Sequence, residues 1–278
     1  MKPIAKILIR LAIIAVATFV YIQFLAPLLH AQPIFVWLPV YILIILFLYI
    51  KNRKNTWAVK GNFYYINGQY EPARLYLKKA IDANCKSYAA YLYYSILILR
   101  EDGNTKDAFL YLDKAAKHKK NVLEERGMLT TLATCYWIDG RIDKGIKILE
   151  DIRKNHSYIN ETALTTLGYL YLLQQNYTKA IEITQLALDI DPENASAWDN
   201  MGQIYFKQNE PNIAKQHFLK AVGYRDGLVD SNYFLGVIFE NEGDIETSQT
   251  YFKKASICQI DRFNTVTKQQ IDDKLAGN

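Results

Sequence analysis

The chain has 278 residues, half of them hydrophobic, with 33 Lys and Arg against 28 Asp and Glu, a formal charge of +5. That charge is concentrated: Lys2, Lys6, Arg10, Lys51, Arg53 and Lys54 all precede the first acid, Glu71, and the remainder is close to neutral. This excludes the concentrated basic footprint of a nucleic-acid binder. The three scattered cysteines, Cys85, Cys135 and Cys258, exclude a disulfide framework and share no metal-type spacing.

Two apolar stretches come first. Residues 11–29, from Leu11 to Leu29, are interrupted only by Thr18, Gln23 and Pro27, and residues 34–50, from Ile34 to Ile50, only by Pro39. Each is close to the roughly 20 residues needed to cross a hydrocarbon core of about 30 Å. The short linker His30-Ala31-Gln32-Pro33 forces two such helices to run antiparallel, so residues 1–53 are expected to form a transmembrane hairpin anchored in the lipid bilayer. A cleavable signal peptide is the rival reading of the first stretch, but the second span follows at once. Cations on both outer flanks and none in the turn place both termini on the cytoplasmic side of a cell membrane. Tyr21, Trp37, Tyr41 and Tyr49 are available for the interfaces. With no charged residue inside either span, nothing indicates an ion or proton path.

From residue 54 a regular beat takes over. Trp198, Met201, Gly202, Tyr205, Ala214, Phe218 and Ala221 occupy positions 4, 7, 8, 11, 20, 24 and 27 of a unit beginning at Ala195. The same frame falls near 54–87, 89–122, 126–158, 161–194, 195–228 and 229–262. The second unit has Ile96 where a small residue is expected, and the third has Gly145 and Ile152 at positions 20 and 27. Pro72 and Pro211 sit at the start of second helices, where a missing N–H costs nothing. This pattern resembles the tetratricopeptide repeat (TPR), a helix–turn–helix of about 34 residues. Taken with its hairpin, the chain resembles a membrane-anchored bacterial-type TPR protein. The resemblance implies an all-α fold: the hairpin, then an α-solenoid over 54–262 of about six units, then a capping helix and tail over 263–278. Phe263, Val266, Ile271 and Leu275 supply the cap's apolar stripe.

Catalytic and cofactor chemistry finds no support. His30, His118, His156 and His217 form no zinc spacing with the cysteines, and the glycines recur at repeat positions rather than in a phosphate cradle. No enzyme activity, cofactor, metal, nucleic acid or small-molecule substrate is expected. The basic run from Lys114 to Lys120 has two readings, contact with anionic lipid or a solvated helix end that suits the helix dipole.

The resemblance implies that positions 2, 5, 6, 9, 12 and 13 of the first helices face a concave groove. The residues there include Ala58, Asn62, Thr130, Thr131, Thr165, Thr166 and Phe234, and the candidate partner site is Tyr93, Tyr94, Leu97, Thr134, Trp137, Tyr169, Asp199, Asn200, Gln203 and Tyr233. This row is aromatic and hydroxyl-rich with few charges, and lacks the cationic clamp of TPR arrays that grip acidic C-terminal peptides. It suits an uncharged or mixed extended peptide or a partner helix, although some tyrosines can instead pack between neighbouring helices. The expected function is that of a membrane-anchored cytoplasmic adaptor or scaffold holding a protein or peptide partner. The alternative is an accessory or assembly subunit of an integral membrane complex, with the hairpin as its binding element.

Overall fold

The computed structural model describes residues 16–17, 19–25, 33–155 and 159–277. Most of the expected first span, the connecting residues 30–32 and the end of the third unit with His156 lie outside them. Every regular element among the described residues is helical. After a helical turn at Tyr21–Leu25 come α1 (Pro33–Ile66), α2 (Tyr70–Asp82), α3 (Tyr88–Asp102), α4 (Thr105–Ala116), α5 (Val122–Ile138), α6 (Ile142–Asn155) and α7 (Glu161–Leu173). Then follow α8 (Tyr177–Ile190), α9 (Ala195–Lys207), α10 (Pro211–Tyr224), α11 (Val229–Asn241), α12 (Ile245–Ile257) and α13 (Lys268–Ala276).

Local chemistry sets the helix ends. Asn104, Asn121, Asn160, Asn176 and Asn194 each accept a bond from the backbone N–H three residues on, an N-cap that satisfies one orphan donor of the first turn. At position 15 of all six units the backbone turns left-handed: Gly68, Gly103, Gly140 and Gly243 do so without cost, and Gln175 and Asn209 do so with a side chain.

Packing follows the repeat. Each first helix lies against its own second helix, and each second helix against the next first helix. Where position 8 is glycine it meets position 24: a Cβ on Gly61 would lie 2.6 Å from Leu77 Cγ, and Cβ atoms on Gly202 and Gly236 would lie 2.5 Å from the rings of Phe218 and Phe252. Unit three exchanges the roles. Ala133 takes position 8, and Gly145 at position 20 comes so close that a Cβ there would sit 2.9 Å from the Ala133 carbonyl oxygen. Pro211 opens α10 as expected.

Two boundaries differ from the sequence reading. Helix α1 does not break near residue 53: it runs from Pro33 through the apolar stretch into the first helix of unit one, since nothing between Ile50 and Ile66 breaks a helix. Leu38, Tyr41, Ile42, Ile44, Phe47 and Tyr49 are among its exposed large apolar side chains. Among the described residues no helix is long and apolar enough to cross a membrane. At the other end the cap begins only at Lys268, where Thr267 and Gln270 form a reciprocal capping box. Ile271 and Val266 are buried in the last core cluster and Leu275 packs on it, whereas Phe263 is not on the cap at all. The ten residues 258–267 between α12 and α13 form a strap across the inner face of the array, held as described next.

Candidate functional site: a groove and the segment that lies in it

Helices α3, α5, α7, α9 and α11 line the concave face, and together with the strap they enclose a cavity of about 570 Å³. Cys258 follows α12 directly, and the strap then reaches as far as unit two. There the Arg262 N–H donates to the Arg100 carbonyl (2.9 Å), and the Arg100 guanidinium pairs with the Asp261 carboxylate. Burial alone pulls the Arg100 pKa down, but Asp261 and Tyr70 together hold the guanidinium above its ordinary value.

Residues 261–264 form a tight turn. Asp261 Oδ1 accepts the Phe263 N–H (2.8 Å), and Asn264 Oδ1 accepts the Asp261 N–H (2.9 Å). The turn presents the Phe263 ring to Trp137, their centroids 5.7 Å apart, and Trp137 in turn meets the edge of Tyr169 at 4.8 Å. The Thr265 hydroxyl donates to Gln203 Oε1 (2.9 Å) and takes a bond from the Tyr169 hydroxyl (3.1 Å). The Asp230 carboxylate on α11 accepts the backbone N–H groups of Thr265 (3.1 Å) and Val266 (2.9 Å).

Beneath this contact lies a buried carboxylate pair. Asp199 is pushed up to about 7, first by burial and then by the negative charge of Asp230, although Ser231 and Gln203 donate to it. Asp230 is also raised by burial, against the opposing pull of the two strap N–H groups. Burial lifts the Tyr169 hydroxyl to about 12 as well.

The expected site residues therefore divide. Trp137, Tyr169 and Gln203 touch the strap, Asp199 braces Gln203, and Thr134 lines the cavity. Asn200 faces the cavity too, but spends its amide on the Thr165 carbonyl (2.9 Å). Leu97 and Tyr94 are corrections: both are buried in the core, with Tyr94 against Tyr111, because unit two closes tightly on its neighbours there. Tyr93 stacks on Tyr65 at 4.2 Å, and Tyr233 packs on Phe234 and Phe252 beside the cap. The uncharged character expected of the groove is also corrected by Arg100, Asp230 and the strap's own Asp261. Arg100 and Asp230 occupy positions 12 and 2 of their units, so the repeat frame itself marked them as inward-facing.

Burial raises Cys135 to about 12 and also raises Cys85 and Cys258, so none is an activated thiol. His217 is wedged between Trp198 and Tyr205, and burial lowers its pKa. Among the described residues no group of His, Cys, Asp and Glu is placed to hold a metal ion.

Comparison with known proteins agrees with this architecture. Models of the TPR and tetratricopeptide repeat match residues 60–121, 168–209, 195–226 and 229–256. Among curated proteins the chain is 23% identical over 242 residues to the BBSome complex member BBS4 of Bos taurus, covering 75% of this chain and 46% of that protein. It is 21% identical over 222 residues to the peroxisomal targeting signal receptor of Candida albicans, covering 78% and 37%. The chain thus spans less than half the length of these relatives. Among solved structures it resembles a chain of the APC/C hetero-tetramer Cut9–Hcn1 (TM-score 0.61, 16% identity, 84% of this chain and 44% of that one). It also resembles PilW, described as a type IV pilus biogenesis factor (TM-score 0.56, 14% identity, 78% and 96%). At such identities the likeness concerns the fold. The helical array of this chain is a solenoid of tetratricopeptide repeats.

Proposed function

We propose that the chain is a membrane-anchored adaptor, with the array on the cytoplasmic side, and that it holds a protein partner in the concave groove. The observation that carries this reading is the groove floor itself: Trp137, Tyr169 and Gln203 already hold an irregular peptide segment through side chains turned to the inner face. Anchoring rests on the two apolar stretches, on the cations at their outer flanks, and on the row of exposed apolar side chains along the first half of α1. An interaction role agrees with an array whose packing consumes the repeat positions and leaves an open cavity inside.

The test is affinity capture from detergent-solubilised membranes with the full chain and its Thr134→Arg variant. Thr134 is half-buried at the cavity, and its hydroxyl bonds only within its own helix, so the change fills the groove without touching the core. Capture should be lost while the melting temperature holds. Capture that survives Thr134→Arg contradicts the groove reading, and a membrane fraction that retains a chain lacking residues 1–50 contradicts the anchor.

A further inference from the structure

The strap is more than a linker between the last repeat and its cap, because the groove treats it as a bound peptide. Its main-chain N–H groups are satisfied by a groove carboxylate, Asp230, and by a groove carbonyl, Arg100. Its one acidic side chain is paired with a groove cation and its one aromatic ring with a groove tryptophan. Val266 is buried in the cap core and Ile260 packs against it, while Asp261, Phe263 and Asn264 hold to the array through polar and ring contacts and border the cavity. Its shape is held locally by the bonds between Asp261, Phe263 and Asn264 rather than by the groove.

We infer that the groove recognises a turn-forming peptide motif with an acidic residue two positions before an aromatic one, and that residues 259–264 occupy this site in cis until a partner carrying the motif displaces them. The inference rests on the groove reading above and gives it a ligand class. Arg100 selects the carboxylate and Trp137 the aromatic ring, while Asp230 holds the next two backbone N–H groups, those of Thr265 and Val266, where the strap joins the cap. A strap tethered at both ends competes at an effective concentration on the order of millimolar. A partner motif with micromolar intrinsic affinity is therefore held back by roughly a hundredfold or more until the strap is loosened.

The test uses the full chain in detergent micelles and a fluorescein-labelled peptide with the sequence of residues 259–267. In the Asp261→Asn/Phe263→Ala double variant, whose strap has lost both side-chain anchors, the peptide should bind at least tens-fold more tightly than to the unmodified chain. Adding Trp137→Ala should abolish the gain, and a peptide with asparagine in place of its aspartate should lose it. Circular dichroism confirms that each variant remains helical. Equal binding to both receptors, or none to the folded double variant, overturns the inference. So does concentration-dependent dimerisation of the unmodified chain that the double variant abolishes, because the strap then serves a second copy. If capture from membranes remains sensitive to Thr134→Arg while the peptide fails to bind, the groove reading stands and only the motif is wrong.

Discussion

The Arg100 guanidinium at the end of α3 grips the Asp261 carboxylate, 161 residues further along the chain. With the bond from the Arg262 N–H to the Arg100 carbonyl, this pair ties unit two to the strap. Asp261 is almost fully buried on its side-chain atoms and Arg100 is about three-quarters buried (5% and 27% exposed), so salt screens the pair less than an exposed one. Breaking one side leaves a partly desolvated charge. Asp261→Asn should therefore cost about 1–2 kcal/mol at the strap. The loss should be local: faster hydrogen exchange at the Arg262 and Thr265 amides, with the amides of α7 and α9 unchanged. Unchanged exchange at Arg262 would mean that the pair contributes nothing to holding the strap.

Gly202 and Gly223 form a matched pair of tests for the repeat logic. A Cβ on Gly202 meets the Phe218 ring, whereas one on Gly223, near the end of α10, meets nothing within 4 Å. Gly202→Ala should destabilise by about 1–3 kcal/mol through overpacking. Gly223→Ala should stabilise by about 0.5–1 kcal/mol, because alanine gives up less backbone freedom in a helix. Thermal melting of the two variants should shift in opposite directions, and a shift in the same direction refutes the packing account.

The left-handed turns allow a stabilising change. Gln175 adopts φ +60° at the position where four other units have glycine. A left-handed backbone costs a residue with a Cβ about 1–2 kcal/mol, and glycine's greater freedom in the unfolded chain returns part of that. Gln175→Gly should raise the denaturation midpoint by an amount equivalent to about 0.5–1 kcal/mol. A lower midpoint shows instead that the glutamine side chain makes a contact worth more than the strain.

The helical array was legible because its packing is local and periodic. Gly202 faces Phe218 as Gly61 faces Leu77 and Gly236 faces Phe252, and small-against-large at fixed spacing is visible in the sequence. The left-handed position 15 was half legible, since glycine marks it in four units while Gln175 and Asn209 hide it in the other two. The five asparagine caps carried a signal at their helix starts that the repeat frame does not use. The site was harder to read. Arg100 and Asp230 stood at inward-facing positions of the frame, but their weight comes from Asp261 and from the Thr265 and Val266 amides, which are distant in sequence and obey no period. The apolar stripe through Phe263 suggested a helix, yet Asp261 and Asn264 compete for the backbone N–H groups there and hold a turn instead. Tyr94 and Leu97 failed as groove residues for a related reason. The frame says which side of a helix faces inward, not how closely the neighbouring unit covers it.

The buried pair Asp199 and Asp230 gives the array a pH dependence whose sign follows from their environment. Asp199 sits at about 7 in the folded chain against an ordinary value of 3.8, chiefly through burial, with Asp230 opposing its ionisation and Arg225 only partly offsetting it. The folded state therefore keeps a proton that the unfolded state releases above its ordinary pKa. The contribution is fully present below that value and is lost as pH rises through about 7. Asp230, raised in the same direction, adds to the loss. Carboxylates held low, such as Glu150 beside Arg153 and the Tyr171 hydroxyl, act oppositely and lose their contribution as pH falls into the usual carboxylate range. The melting temperature should accordingly decline from pH 5 to pH 8. Asp199→Asn mimics the protonated carboxyl and should flatten that decline. At pH 5 the two chains should be close in stability, because the asparagine can turn its carbonyl oxygen to the Gln203 amide and donate to the Ser231 hydroxyl, which turns to accept. By pH 8, where native Asp199 is ionised beside Asp230, the variant should have the higher melting temperature. Parallel pH profiles for the native chain and Asp199→Asn would show that this carboxyl ionises normally in the fold and that the dependence lies elsewhere.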